Sequence, residues 1–264
     1  FNSGNVANGT YAVPEEFATW PAKGNGNVTD QLAPFVDLNG DGLYNVYDGD
    51  YPLIKGDQML YWIFNDSLSV HNSTVPAGIA LGVEVQASAY AYFCQGIADS
   101  NRVLNTTTFY DYTIINRSNH DYDSLYVGLW SDVSLGNDFD DYIGCDSLLS
   151  AGFVYNGDND DETVDGYGLN PPMQNIKVLK GMIADPGDGV DNNLNGITDE
   201  PGERTTMNHF MPVLKAQSSP VGSPVNAGDY YNYMRSIWKD GMPLHYGADG
   251  RDVTAPLTNF MFSG

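Results

Sequence analysis

The sequence predicts a mainly β fold, an antiparallel β-sandwich of jelly-roll kind with one or two short helices. Three observations lead there. The 264 residues include 29 Gly, 14 Pro and 18 Tyr, a composition that favours strands joined by ordered loops. Four runs between residues 79 and 156, IALGVEVQASAYAYF, TTTFYDYTIIN, SLYVGLWSDV and LLSAGFVYN, are rich in β-branched and aromatic residues and separated by Asn, Asp, Ser and Gly. Of the 34 acids 28 are Asp, which prefers turns where Glu prefers helix surfaces.

Taken in order, residues 1–34 mix Asn, Gly, Ala and Pro with scattered aromatics and read as extended chain packed against a domain surface. With the loop that follows they make an N-terminal segment, 1–58; residues 59–264 make the sandwich, the two forming one compact unit. Asp57 stands where it can N-cap a short helix through MLYWIF, whose uniform apolarity implies burial on all sides. In the first of the four runs, Val83, Val85, Ala87 and Ala89 alternate with Glu84, Gln86 and Ser88, giving one buried face and one wetter face. Long strands with polar turns pair antiparallel, and two packed sheets bury them most simply. Near the end Asp229 can cap a helix in which Tyr230, Tyr233, Met234, Ile237 and Trp238 recur at helical spacing until Gly241 stops it.

Charge narrows the function. Eleven Lys and Arg face 34 acids, a net charge of -23, which excludes nucleic acid as a partner and disfavours anionic membranes. A 42% hydrophobic and 12% aromatic content belongs to a chain that folds. No apolar run approaches the roughly 18 residues that span a bilayer, so membrane insertion is not expected. The chain opens at Phe1 without a start Met or signal peptide and reads as a mature or excised piece of a longer one. Cys94 and Cys145 fit no metal spacing; they are either one disulfide or two separate buried thiols.

The acids cluster in residues 37–57, 132–165 and 185–203, and carboxylates a few Å apart repel unless a cation sits among them. Hard oxygen ligands select Ca²⁺. In DLNGDGLYNVYD, Asp37, Asn39, Asp41, Asn45 and Asp48 occupy loop positions one, three, five, nine and twelve. Gly42 sits at position six for the sharp turn, and Leu43 offers its carbonyl at seven. The pattern resembles the calcium loops of dockerin modules. In DPGDGVDNNLNGITDEPGE, Asp191, Asn193 and Asn195 alternate before Gly196, Ile197 offers its carbonyl, and Asp199 with Glu200 or Glu203 completes the shell, the last acid being displaced from its EF-hand place. This one resembles the Asp/Asn-Gly calcium repeats of thrombospondin-type and bacterial surface proteins. A weaker third set, Asp158, Asp160 and Glu162, lacks the turn Gly and reads equally as a solvated loop.

Together with TIINRSNHDYDSLYVGLWSDVSLGNDFDDYIGCDS and YYNYMRSIWKDGMPLHYG, these segments resemble parts of large secreted proteins of the Bacteroidota that end in a type IX secretion sorting domain. The resemblance implies an extracellular or outer-surface address more than an activity. Three Asp-Ser-Leu triplets, centred on Ser67, Ser124 and Ser147, resemble the O-glycosylation signal of that phylum; strand-edge packing is the alternative reading of these Ser.

The four His form no zinc pair, and no phosphate-cradling loop, nucleophile elbow or redox Cys pair appears. Glu84 is the best single candidate for an acid, though a satisfied edge-of-sheet Glu is the simpler reading. The expectation is therefore a non-enzymatic, calcium-stabilised structural or adhesive module with two calcium sites and a candidate third. Its partners would be other copies, surface proteins or glycans, with self-assembly into a fibre or surface layer. The alternatives are a carbohydrate-binding module with a Trp and Tyr stacking platform and, less favoured, a glycoside hydrolase domain hidden among the acids.

Overall fold

The computed structural model describes residues 8–22, 32–67, 71–72, 78–96, 98–213 and 220–263. The chain divides into two compact units, residues 1–70 with 79–121, and residues 71–78 with 122–264. The strands between residues 79 and 116 lie in the same unit as the N-terminal segment.

Unit 1 holds α1 (Glu15–Ala18), β1 (Phe35–Val36), a 3₁₀ turn (Val46–Asp48), β2 (Tyr51–Pro52), β3 (Gln58–Asn65), β4 (Val83–Ala91), α2 (Asp99–Asn105) and β5 (Thr108–Asn116). β1 pairs with β2, and β3, β4 and β5 form an antiparallel sheet with β4 in the middle. The helix expected through MLYWIF is thus a strand. Six apolar residues are too few for a helix to hold in isolation but enough for a strand, and they are not buried on all sides as expected, since Leu60, Trp62 and Phe64 are exposed on one face. Asp57 does not cap a helix: its N–H donates to the Ala91 carbonyl at 2.9 Å and its carboxylate accepts the Phe93 N–H at 2.7 Å, pinning the end of the ladder.

The register sorts the side chains of this sheet into two faces. Leu60, Trp62 and Phe64 lie across from Ala89, Ala87 and Val85, which lie across from Tyr110, Tyr112 and Ile114. On the other face the rows are Tyr61, Ser88, Asp111 and Ile63, Gln86, Thr113. Tyr61 there meets the Trp20 ring at 6.0 Å, and Lys55 pairs with Asp111. A small core of Ala22, Tyr44 and Val46, packed by Val13, Phe17, Trp20 and Phe35, ties residues 13–22 to the first acidic loop. The Tyr44 hydroxyl donates to the Phe17 carbonyl at 2.6 Å.

Unit 2 holds β6 (Asp141–Asp146), β7 (Ala151–Asn156), β8 (Asp160–Asp161), β9 (Gly168–Leu169), β10 (Gln174–Lys177) and α3 (Ala227–Tyr233). β7 lies between β10 and β6, all antiparallel, and β8 pairs with β9. SLYVGLWSDV, expected as a strand, makes no ladder among the described residues. Tyr126 anchors it instead, its ring edge-on to Tyr231 at 5.6 Å and to His209 at 5.8 Å.

The C-terminal helix begins one turn earlier than expected. Asn226 is the cap, accepting the Asp229 N–H at 2.9 Å, while Asp229 reaches back to the Val225 N–H at 2.9 Å, a reciprocal arrangement that satisfies two helix-start donors. It ends at Tyr233; Ser236 turns left-handed at φ 54°. Trp238 thereby leaves the helix and enters the core with Tyr233, Leu244 and Met261. Both cysteines are free thiols, Cys145 buried and Cys94 partly so. The fold is mainly β, built from antiparallel sheets, with three short α-helices among the described residues.

Candidate metal centres

The first acidic loop lies in unit 1, between β1 and β2, and its backbone is shaped by its own side chains. The Asp37 carboxylate accepts the N–H groups of Gly40 at 2.7 Å and Gly42 at 2.8 Å. Asn39 accepts from Asp41 at 3.0 Å, and Asp41 accepts from Leu43 at 2.8 Å. Gly40 and Gly42 are left-handed, at φ 75° and 76°. Asn45 caps the 3₁₀ turn by accepting the Tyr47 N–H and donates its amide to Asp48.

The second loop, in unit 2, repeats this conformation. Asp191 accepts the N–H groups of Asn195 at 3.1 Å and Gly196 at 2.7 Å; Asn193 accepts from Asn195 at 3.0 Å, and Asn195 from Ile197 at 2.8 Å. Its fourth and sixth positions, Leu194 and Gly196, are again left-handed, at φ 59° and 91°. A leucine in that region is uncommon, since its Cβ crowds the following carbonyl. Two loops that differ at the fourth position therefore share one backbone path, set by side-chain oxygens at positions one, three and five.

The acids that end the loops have distinct jobs. Asp50, absent from the sequence-based ligand set, is fully buried, and its carboxylate accepts the Leu38 and Asn45 N–H groups, each at 2.9 Å. It clamps both ends of the first loop. Glu203, expected as an alternative closing ligand, does the same in the second: it is buried and accepts the Asn192 and Asn193 N–H groups at 2.6 and 3.2 Å. Asp199 turns to the Gly189 N–H at 3.3 Å. Glu200 is the acid that faces the loop, with Oε1 taking the Asn193 and Asn195 amides at 2.6 Å each and Oε2 buried without a partner among the described residues.

These hydrogen bonds set the charge state. The Gly42 N–H, with smaller help from Gly40, holds the Asp37 carboxyl below the usual carboxylate range. The Asn193 amide, then that of Asn195, does so for Glu200. Ionised oxygens at these positions, carbonyls at Leu43 and Ile197, and the orphaned Glu200 Oε2 form a donor set that fits a hard divalent cation. Asp37, Asn39, Asp41, Asn45, Asp48 and the Leu43 carbonyl would hold one ion; Asp191, Asn193, Asn195, Glu200 and the Ile197 carbonyl would hold the other. Among the described residues no three Asp, Glu, His or Cys side chains converge closely enough to bind a metal unaided. Amide and carbonyl oxygens must complete either shell, with the outlying carboxylates turning inward.

The middle cluster is built differently. Asp158, Asp160 and Glu162 are all exposed, and Asp158 is engaged with the Asp160 N–H at 2.8 Å. The buried acid there is Asp161, whose carboxylate accepts the Asn137 and Tyr167 N–H groups at 3.1 and 2.7 Å. The stretch is thus organised by an acid bound to backbone amides. Of the Ser in the three Asp-Ser-Leu triplets, Ser67 and Ser124 are exposed and Ser147 is half-buried, each outside the strands.

Glu84 sits mostly buried in β4, with Arg117 3.0 Å from Oε1 and the Gln86 amide at the same oxygen. The Arg117 hydrogen bond holds its carboxyl below the usual value. No protein-family model matches the chain, and no match emerges among curated proteins or solved structures.

Proposed function

We propose that this chain is a calcium-stabilised structural or adhesive module of a secreted or cell-surface bacterial protein, a rigid extracellular building element without chemistry of its own. Its sheets would belong to a jelly-roll-like sandwich. The supporting observation is the shared conformation of the two loops, left-handed at positions four and six, with Asp and Asn at the alternate sequence positions that a calcium loop uses. Extracellular modules work with sites of about 10⁻⁴–10⁻³ M affinity, which tolerates the displaced closing acid of the second loop. The resemblance to secreted Bacteroidota proteins supports the address. Glu84, held ionised by Arg117, is a poor proton donor at neutral pH, which counts against it as a general acid.

The test is calcium removal. Calorimetric titration of the metal-stripped chain is expected to show two ions, with Asp41→Ala and Asp191→Ala each losing one and Asp160→Ala losing none. Calcium at about 100 times its dissociation constant should add roughly 2.7 kcal/mol per independent site. An unchanged melting temperature in excess chelator would sink the reading.

A further inference from the structure

We infer that the uncharged face of the β3–β4–β5 sheet is the surface on which one copy of this chain docks on another. The inference rests on the reading of the chain as a building module and names the contact such a module would use.

The face carries nine side chains in register: Leu60, Trp62 and Phe64 on β3, Ala89, Ala87 and Val85 on β4, and Tyr110, Tyr112 and Ile114 on β5. None is charged at neutral pH, in a chain of net charge -23. The six on the outer strands are 37 to 64% exposed. Taking about 200 Å² as the surface of each, they leave on the order of 600 Å² of contiguous side-chain area, the upper end of what a monomer shows. A standard interface buries about 800 Å² per partner, so this face with its rim is of the size a stable dimer needs.

Size and polarity select the occupant. Ala87 lies in register between Trp62 and Tyr112 and is only 1% exposed, so the two outer rows close over the central strand and the face is one broad apolar surface about 10 Å across, two strand spacings. About a two-fold axis such a surface meets its own copy, each Leu60, Trp62 and Phe64 row lying against the Tyr110, Tyr112 and Ile114 row of the other. Two sheet faces then pack at the usual separation of about 10 Å. A glycan is the rival occupant, since Trp62, Tyr110 and Tyr112 are exposed and aromatic faces stack on sugar rings, and the cellulose arm of the test below detects it. An acidic or basic peptide would find no countercharge there.

The net charge opposes two copies meeting, which supplies a signature. Raising ionic strength from about 0.1 to 1 M shortens the Debye length from about 10 to 3 Å and should tighten the dimer, where a contact built on ion pairs would loosen. Sedimentation of the intact chain over a roughly hundredfold concentration range is expected to show a monomer–dimer equilibrium that tightens with salt. Trp62→Glu and Tyr112→Glu should each weaken it by about 30-fold or more. Phe139→Glu, at a fully exposed position off this face, should leave it unchanged. Should Trp62→Glu fail to fold, Leu60→Glu, at the most exposed position of the face, carries the test. A monomer at every concentration and salt overturns the inference, as does a dimer indifferent to Leu60→Glu and Tyr112→Glu, or a monomer retained on insoluble cellulose through Trp62. Calcium stoichiometry on the same samples separates the two readings: a calcium-bound monomer refutes the docking and leaves the module intact.

Discussion

Gly40 and Leu194 hold equivalent places in the two loops, and only the glycine does so without strain. A Cβ added at Gly40 would meet open space, so the cost of Gly40→Ala comes from the backbone at φ 75° alone, about 1 kcal/mol. Gly40→Asn should cost less, since Asn tolerates this region; thermal unfolding of the pair checks both. Asp50→Ala is the harsher change. It leaves the N–H groups of Leu38 and Asn45 without their acceptor inside the protein, and a loss of about 2–4 kcal/mol is expected from the urea midpoint. The ordered turn through Asp37, Asn39, Asp41 and Gly42 is legible in the sequence because the hydrogen bonds that shape it all lie within six residues. Asp50 and Glu203 are not legible as clamps in the sequence, because their partners lie as far as 12 and 11 residues back, a pairing that no local pattern records.

At the scale of elements, the alternation of VEVQASAYA announced β4, since period two over nine residues has no helical counterpart. MLYWIF was ambiguous, for a run apolar at every position carries no period, and the choice fell to its neighbours in the sheet. SLYVGLWSDV has the composition of a strand, but pairing is a property of two segments, and Tyr126 is held by rings of other elements. The ion pair of β4 gives this scale its prediction. Glu84 has a lowered pKa, so its contribution is present above the ordinary Glu value near 4.3 and is lost as pH falls through the lowered one. Arg117 is substantially solvent-exposed, which limits the pair to about 1 kcal/mol or less. Glu84→Gln should therefore cost about that much at pH 7 and flatten the acid limb of a stability profile below pH about 4, the difference from the unmodified chain shrinking as acid is added.

For the whole molecule, the charge of -23 is a standing self-repulsion, and calcium held in each of two units would relieve part of it. Each unit also carries one thiol. Cys145 is fully buried in β6, its backbone N–H donating to the Phe262 carbonyl at 3.2 Å and its thiol to Met261 at 3.4 Å. Burial, then the Asp146 charge, pushes that thiol up to about 11, so at neutral pH it is protonated as well as shielded. An alkylating reagent can therefore reach it only in the moments when β6 parts from residues 261–262, while the half-buried Cys94 should be modified promptly. The chain thus carries its own stopwatch. If the second loop grips calcium, adding the ion should lengthen the labelling time of Cys145, and mass spectrometry can read the tick of each unit separately without melting either.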